Sequence, residues 1–303
     1  MLILTLNLFG MRNVFISLAI LALIASSCGG KKESKTTTEQ ETTQKTSALI
    51  RIKGSETARK IVVALNEFYK KANPNSQTDY SGGGSNLGIM SMMHGDAYLI
   101  VVSGDLSDEE KSIFNQKKLT IDTIALDGLA IVVNHQNQII NLTKQQLKEI
   151  YEGKITNWQQ VGGKNKIIKV FSRESTSGTY TLFKDKVLHN ANCLATHVNM
   201  NYNEDVVTGV QGDPSSIGYV GLGYTLGNEL KVLGLSDSIH TTPHKPEYAS
   251  IISGDYILKR YITIIYDNTN PILKNYVSCI HNEHIYKIIN ECGFIPYKNY
   301  KAQ

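Results

Sequence analysis

Three segments of this chain share one plan: a short apolar run stops at glycine and hydroxyl residues, and a helical period begins at once. Ile50-Arg51-Ile52-Lys53-Gly54-Ser55-Glu56-Thr57 opens into Ile61, Val62, Leu65, Phe68 and Tyr69. Tyr80-Ser81-Gly82-Gly83-Gly84-Ser85-Asn86 leads into Leu87, Ile89, Met90 and Met93. Ile167-Ile168-Lys169-Val170-Phe171 ends at Ser172-Arg173-Glu174-Ser175-Thr176-Ser177-Gly178-Thr179, with a helix-like stretch over residues 180–188. The first amides of a helix lack internal partners, so a hydroxyl there accepts from them and the remainder attract negative charge. Ser85 is expected to cap its helix in this way. One such corner is common, and a run of three glycines alone reads as a flexible turn. Three corners, one of them carrying Arg173, point to a shared seat for a tetrahedral oxyanion.

The early chain alternates strand and helix: strands near residues 49–53, 77–80 and 97–102, helices near 57–71 and 86–94. That alternation predicts an α/β fold with parallel pairing. Residues 121–134 read as a long strand pair or as one crossing strand, residues 256–266 as a second such strand, and residues 276–289 carry the period of a C-terminal helix.

These segments resemble the phosphate-binding proteins of bacterial ABC transporters, members of the two-lobed periplasmic binding-protein superfamily. The resemblance runs from about residue 48 to 297. Gly54-Ser55-Glu56-Thr57 is similar to the family's first phosphate loop, Gly82-Gly83-Gly84-Ser85 to its second, and Arg173 to Thr179 to its Arg-x-x-x-Ser-Gly-Thr loop. The runs Asp127 to Asn134, Tyr151-Glu152-Gly153-Lys154-Ile155-Thr156-Asn157-Trp158 and Ser216 to Gly221 also look like family signatures. The resemblance implies an α/β, type II, two-lobed periplasmic binding protein, with a ligand cleft between lobes joined by two hinge strands. One lobe would be residues 48–126 with 252–303, the other residues 127–251. Ser55, Thr57, Ser85, Arg173, Ser177, Gly178 and Thr179 would hold phosphate, with Arg173 as the one formal positive charge. The protein would be a monomer that presents phosphate to a membrane permease, with no catalytic residue, cofactor or metal.

The chain departs from the family at Tyr98-Leu99-Ile100-Val101-Val102-Ser103-Gly104, where members carry a pattern like Asp-Ile-Gly-x-Ser-Ser-Arg. Ser103 matches. Tyr98 stands at the position of a carboxylate that would accept the proton of a protonated phosphate, and Gly104 at that of the arginine. The mismatch predicts weak discrimination of phosphate from sulfate unless Glu56 or Asp105 substitutes as acceptor. It leaves open a member that binds another oxyanion, such as sulfate, or acts in sensing. A phosphate-ester hydrolase is a further alternative, but no acidic and histidine cluster stands near the three corners in sequence.

Length and a hydrophobic fraction of 41% allow a sizeable core and suit one two-lobed unit. Residues 1–27 read as a signal: Met11-Arg12-Asn13 is a positive start, residues 14–24 are apolar, and Ala25-Ser26-Ser27 precede Cys28. The pattern resembles a bacterial lipoprotein signal, with cleavage before Cys28 and lipid on its sulfur, so that the protein is exported and membrane-anchored. An ordinary signal peptide with an incidental cysteine is the alternative, and Met11 is an alternative start to Met1. Residues 29–47 lack any large apolar side chain and read as a disordered tether of roughly 25 Å.

Cys193, Cys279 and Cys292 remain, and the last two could pair or stay as thiols. The spacing of Cys279, His281, His284 and Cys292 matches no zinc pattern. A net charge of +4 and no basic stripe with interleaved aromatics argue against nucleic acid.

Overall fold

In the computed structural model, residues 49–193 and 195–297 are described. The signal and tether expected for residues 1–47 lie outside them. The chain starts with β1 (Leu49–Gly54), α1 (Arg59–Ala72), β2 (Gln77–Gly83), α2 (Ser85–His94), β3 (Leu99–Ser103) and α3 (Asp108–Gln116). After β4 (Thr120–Asn134) come β5 (Asn141–Thr143), α4 (Lys144–Tyr151), β6 (Lys169–Arg173), α5 (Gly178–Lys186), β7 (His197–Met200) and α6 (Asn203–Gln211). The same half holds β8 (Ser216–Gly221), β9 (Leu230–Val232), β10 (Gly234–Ser236) and α7 (Tyr248–Ser253). The chain then returns along β11 (Lys259–Tyr266) to α8 (Pro271–Ser278), α9 (Glu283–Glu291) and β12 (Ile295–Pro296).

Eight strands form a curled sheet in the order β2-β1-β3-β11-β4-β8-β6-β7, with β9 and β12 added against β4, while β5 and β10 pair in a separate two-stranded sheet. β1 is parallel to β2 and β3, and β6 is parallel to β7 and β8. β4 serves both halves: its first part pairs with β11 and its residues from Leu129 onward pair with β8. Of the two readings of residues 121–134, the structure therefore takes the single crossing strand. Its buried run from Ile124 to Asn134 explains why it can pass through both halves without a turn.

Each half is layered helix, sheet, helix, and the alternation of side chains along each strand supplies both layers. In the first half Ile52, Leu99 and Val101 meet Ile61 and Leu65 of α1 and Leu273, Val277 and Ile289 of α8 and α9. Ile100 and Val102, on the other face of β3, meet Ile89 and Met92 of α2 and Phe114 of α3. In the second half Val170 and Tyr219 pack with Leu147, Tyr151, Leu182 and Phe183 of α4 and α5, while Phe171 and Val220 pack with Val206, Val207 and Val210 of α6.

The period over residues 276–289 is not one helix. α8 stops at Ser278, and Asn282 starts α9 by accepting from the Ile285 amide at 3.0 Å. A capping side chain overrides a hydrophobic period that runs on through it. Cys279 and Cys292 are not bonded to each other, and with Cys193 they are free thiols.

Candidate anion-binding site

Parallel strands put their carboxyl ends on one edge, and the helices that follow begin there. The corners after β1, β2 and β3 fall on the carboxyl edge of the first half, and the corner after β6, a strand antiparallel to these three, faces them from the carboxyl edge of the second half, so segments remote in sequence become neighbours. Ser55 Oγ bonds Ser103 Oγ, Ser103 N donates to Ser85 Oγ at 3.0 Å, and Thr57 Oγ1 meets Thr179 Oγ1 at 2.9 Å across the cleft. Ser177 caps α5 through Thr179 N at 3.2 Å. Ser55, Thr57, Ser85, Ser103, Ser177 and Thr179 are all buried. A cluster of buried hydroxyls costs free energy unless each is bonded, and here each finds a hydroxyl or an amide.

Ser85 does not cap α2. It is the first helical residue, Gly84 (φ +105°) is the N-cap, and Ser85 Oγ is turned to β3 instead. Gly84 is needed for its positive φ and because a Cβ there would press on the Thr176 carbonyl across the cleft.

Arg173 ends β6 with only 2% of its surface exposed. Its Nε donates to Met200 O at 3.0 Å and Nη2 to Asn201 O at 2.8 Å, while Nη1 is buried without a partner. Burial, with a contribution from Arg260, lowers the Arg173 pKa, yet a guanidinium keeps its charge at any ordinary pH. Tyr219 supports it from below: its hydroxyl meets Ser172 Oγ at 2.9 Å and accepts from Arg173 N at 3.1 Å, and its ring stacks on Phe183. A cavity of about 210 Å³ opens beside Arg173, lined by Glu56, Gly83, Gly84, Thr176, Ser177 and Tyr202, among others.

Arg173 is not the only cation here. Arg260 of β11 lies in register with Asp127 of β4 and donates to Asp127 Oδ2 from Nε (2.8 Å) and Nη2 (2.6 Å). Its Nη1 donates to Thr179 Oγ1 at 2.7 Å. Complete burial pushes the Asp127 carboxyl upward, opposed by Arg260 and by the Leu222 and Gly128 amides. Asn203 joins the cluster, with Nδ2 3.5 Å from Thr57 Oγ1 and Oδ1 accepting from Gly221 N.

The structure thus brings together Ser55, Thr57, Ser85, Arg173, Ser177, Gly178 and Thr179. It does not bring Tyr98 to them. Tyr98 precedes β3 at the opposite edge, 63% exposed, and five residues of strand put it roughly 16 Å from Ser103. The family mismatch at Tyr98 is therefore not a mismatch at the corners. Asp105 is exposed and lines, with Ser85, Ser103 and Gly178, a second groove that does not include Arg173. Glu56 is buried and lines the cavity, but its carboxylate already accepts from Gly83 N and twice from Arg59. Sequence reading missed Asp127, Arg260, Asn203 and Tyr219 as site residues. Each lies on an apolar strand or an unremarkable helix start, and only the register of β4 against β11 places the charges together.

Comparison with known proteins agrees with this architecture. Residues 36–281 match the family model described as a PBP superfamily domain. The phosphate-binding protein PstS of Borreliella burgdorferi is 30% identical over 261 residues, covering 82% of this chain and 90% of that protein. A phosphate ABC transporter substrate-binding protein of Clostridium perfringens, solved with bound phosphate, superposes with a TM-score of 0.72 at 26% identity, covering 82% of this chain and 99% of the other. An ABC-type phosphate transport receptor of Vibrio cholerae gives a TM-score of 0.67 at 31% identity, covering 81% and 99%.

Gly178 tests how closely the two sides of the cleft must meet. A Cβ at this position would collide with Ser103 O and Ser85 Oγ, which belong to the opposite side. Gly178→Ala is expected to prop the cleft open, with a larger radius of gyration by X-ray scattering. It should weaken anion binding by about 1–3 kcal/mol, the usual cost of overpacking. Thermal unfolding of the ligand-free protein should be little changed.

Proposed function

The chain belongs to the PstS family of phosphate-binding proteins within the PBP superfamily, and we propose that it captures inorganic phosphate outside the cytoplasm for delivery to an ABC permease. The observation that carries this reading is Arg173 Nη1, a charged donor buried without a partner beside the hydroxyl corners. A buried, unpaired donor of this kind costs free energy in the empty site and recovers it when an anion oxygen arrives. Ser55, Thr57, Ser85, Ser177, Gly178 and Thr179 supply neutral donors around it, and the guanidinium supplies the countercharge. Lobes formed by residues 48–126 with 252–303 and by residues 127–251 close over the ion and desolvate it.

Binding rather than ester hydrolysis fits the partners of the hydroxyls. Ser55 faces Ser103, Thr57 faces Thr179, Ser85 accepts from Ser103 N and Ser177 from Thr179 N. An activated nucleophile needs an adjacent base, and among the described residues none of these hydroxyls is bonded to a histidine or a carboxylate. We propose further that the mature protein is a monomer tethered by lipid on Cys28, which supplies export and anchoring in one signal.

Arg173→Ala is expected to weaken phosphate binding by about 2–4 kcal/mol by titration calorimetry, with Arg173→Lys recovering only part of it. Affinity equal to wild type would remove Arg173 from the site. Tyr98→Asp should leave the ratio of phosphate to sulfate affinity unchanged in competition calorimetry, because the side chain is at the wrong edge of the sheet. A shifted ratio would mean that Tyr98 reaches the ligand. Cys28→Ser should move the protein from the membrane to the soluble fraction of cells with its phosphate affinity intact. Continued membrane association would require another anchor.

A further inference from the structure

Thr57 and Thr179 approach from opposite sides of the cleft, and the groups around each oxygen decide where its hydrogen points. Thr179 Oγ1 lies 2.7 Å from Arg260 Nη1. A guanidinium only donates, so this oxygen accepts there, and the adjacent positive charge turns the O–H dipole away from itself. Thr57 Oγ1 is the neighbour in that direction, at 2.9 Å. Its other neighbour is Asn203 Nδ2 at 3.5 Å, a donor whose sense is fixed because Asn203 Oδ1 accepts from Gly221 N. With donors on both sides, the Thr57 hydrogen is left for an acceptor in the cleft.

We infer that Arg260, held by Asp127, is a positioning residue that turns the Thr179 hydroxyl onto Thr57 and so leaves the Thr57 hydroxyl as the donor into the cleft, so that this part of the seat accepts only an unprotonated oxygen of the anion. The inference rests on the phosphate reading and adds to it a rule for the protonation state of the ligand. Asp127 is what aims the guanidinium, since its Oδ2 takes both Nε and Nη2 and leaves Nη1 for Thr179. Gly221 keeps the arrangement tight: a Cβ there would run into Thr57, Arg260 and Asp127 together.

The charged and titratable groups facing this chain of bonds are Arg173 of β6, Glu56, Arg59 and Lys60 around the start of α1, Glu204 of α6, and Tyr219, Tyr224 and Tyr256. Burial drives all three tyrosines far above their ordinary range. They keep their protons across neutral pH, where phosphate itself loses its second one.

The test replaces the ion pair by an amide pair, Asp127→Asn with Arg260→Gln, so that no lone charge is left buried. Phosphate affinity of the wild type should rise from about pH 6 to about pH 9 as the dianion forms. The double variant should bind about tenfold more weakly at the upper end and show a flatter profile, because an unoriented hydroxyl can also accept from a P–OH. Thr179→Val keeps the ion pair and cuts the chain at its middle, and the same flattening is expected. A wild-type profile in either variant, with cooperative unfolding intact, overturns the inference, and Thr179→Val decides alone if the double variant does not fold. A wild type that takes sulfate but not phosphate removes the phosphate reading only. In that case a tenfold loss of sulfate affinity in the variants supports the orientation role, and no loss overturns it.

Discussion

The Arg260–Asp127 pair is the contact around which the cleft is organised. Both side chains are buried on neighbouring strands, β11 and β4, that carry the chain between the two halves. Taking two charges out of water costs several kcal/mol for each ion, and mutual attraction repays it only when the remaining hydrogen-bonding sites are filled. They are filled here: Oδ2 takes two guanidinium bonds, Oδ1 takes Leu222 N at 3.1 Å, and Nη1 reaches Thr179. An apolar pair of the same size would stabilise the strands as well, but it could not hold a threonine hydroxyl. The position of the pair explains its chemistry better than any gain in stability does.

Around this anchor the seat is built mainly from neutral groups. Ser55 bonds Ser103 and Thr57 bonds Thr179, while Ser85 and Ser177 accept from backbone amides, so that none of these hydroxyls is buried unsatisfied and each can turn its hydrogen to an acceptor. Arg173 differs because its Nη1 has no such substitute partner. The neutral groups thus tolerate the empty state, and the guanidinium biases the site toward being filled.

The α/β character and the three corners were legible in the sequence because each is local: apolar alternation, a glycine break, and a hydroxyl at a helix start. Parallel pairing within each half gathers its own corners on one edge, and β4, crossing from one half to the other, sets the two edges face to face. What was not legible depended on register. Tyr98 aligned with a family carboxylate yet sits at the amino end of β3, and Arg260 looked like one polar residue in a hinge strand until β4 placed Asp127 opposite it. The residues 276–289 misled for a different reason, since the apolar period continues across a break that Asn282 imposes through its own side chain.

At the rim, the contacts that span the cleft are numerous and individually weak. Asn86 reaches Ser175 O and Thr181 Oγ1, Lys60 donates to Gly223 O and lies over the Tyr224 ring, and the Arg59 guanidinium stands between Tyr80 and the half-exposed Tyr202. Cation–π contacts contribute about 0.5–1 kcal/mol at exposed sites and about 2 kcal/mol where desolvated, the half-buried Lys60–Tyr224 contact falling between, and exposed polar contacts such as those of Asn86 no more than about 1 kcal/mol. Such a set shifts the balance toward closure without locking it. A bound anion adds a differential term by engaging both sides of the cleft at once, and only that term can move the population decisively. The ion pair thus sits at the hinge and Arg173 is bonded within one half, where neither opposes opening, while the contacts of Thr179 and the weaker ones at the rim hold the halves together.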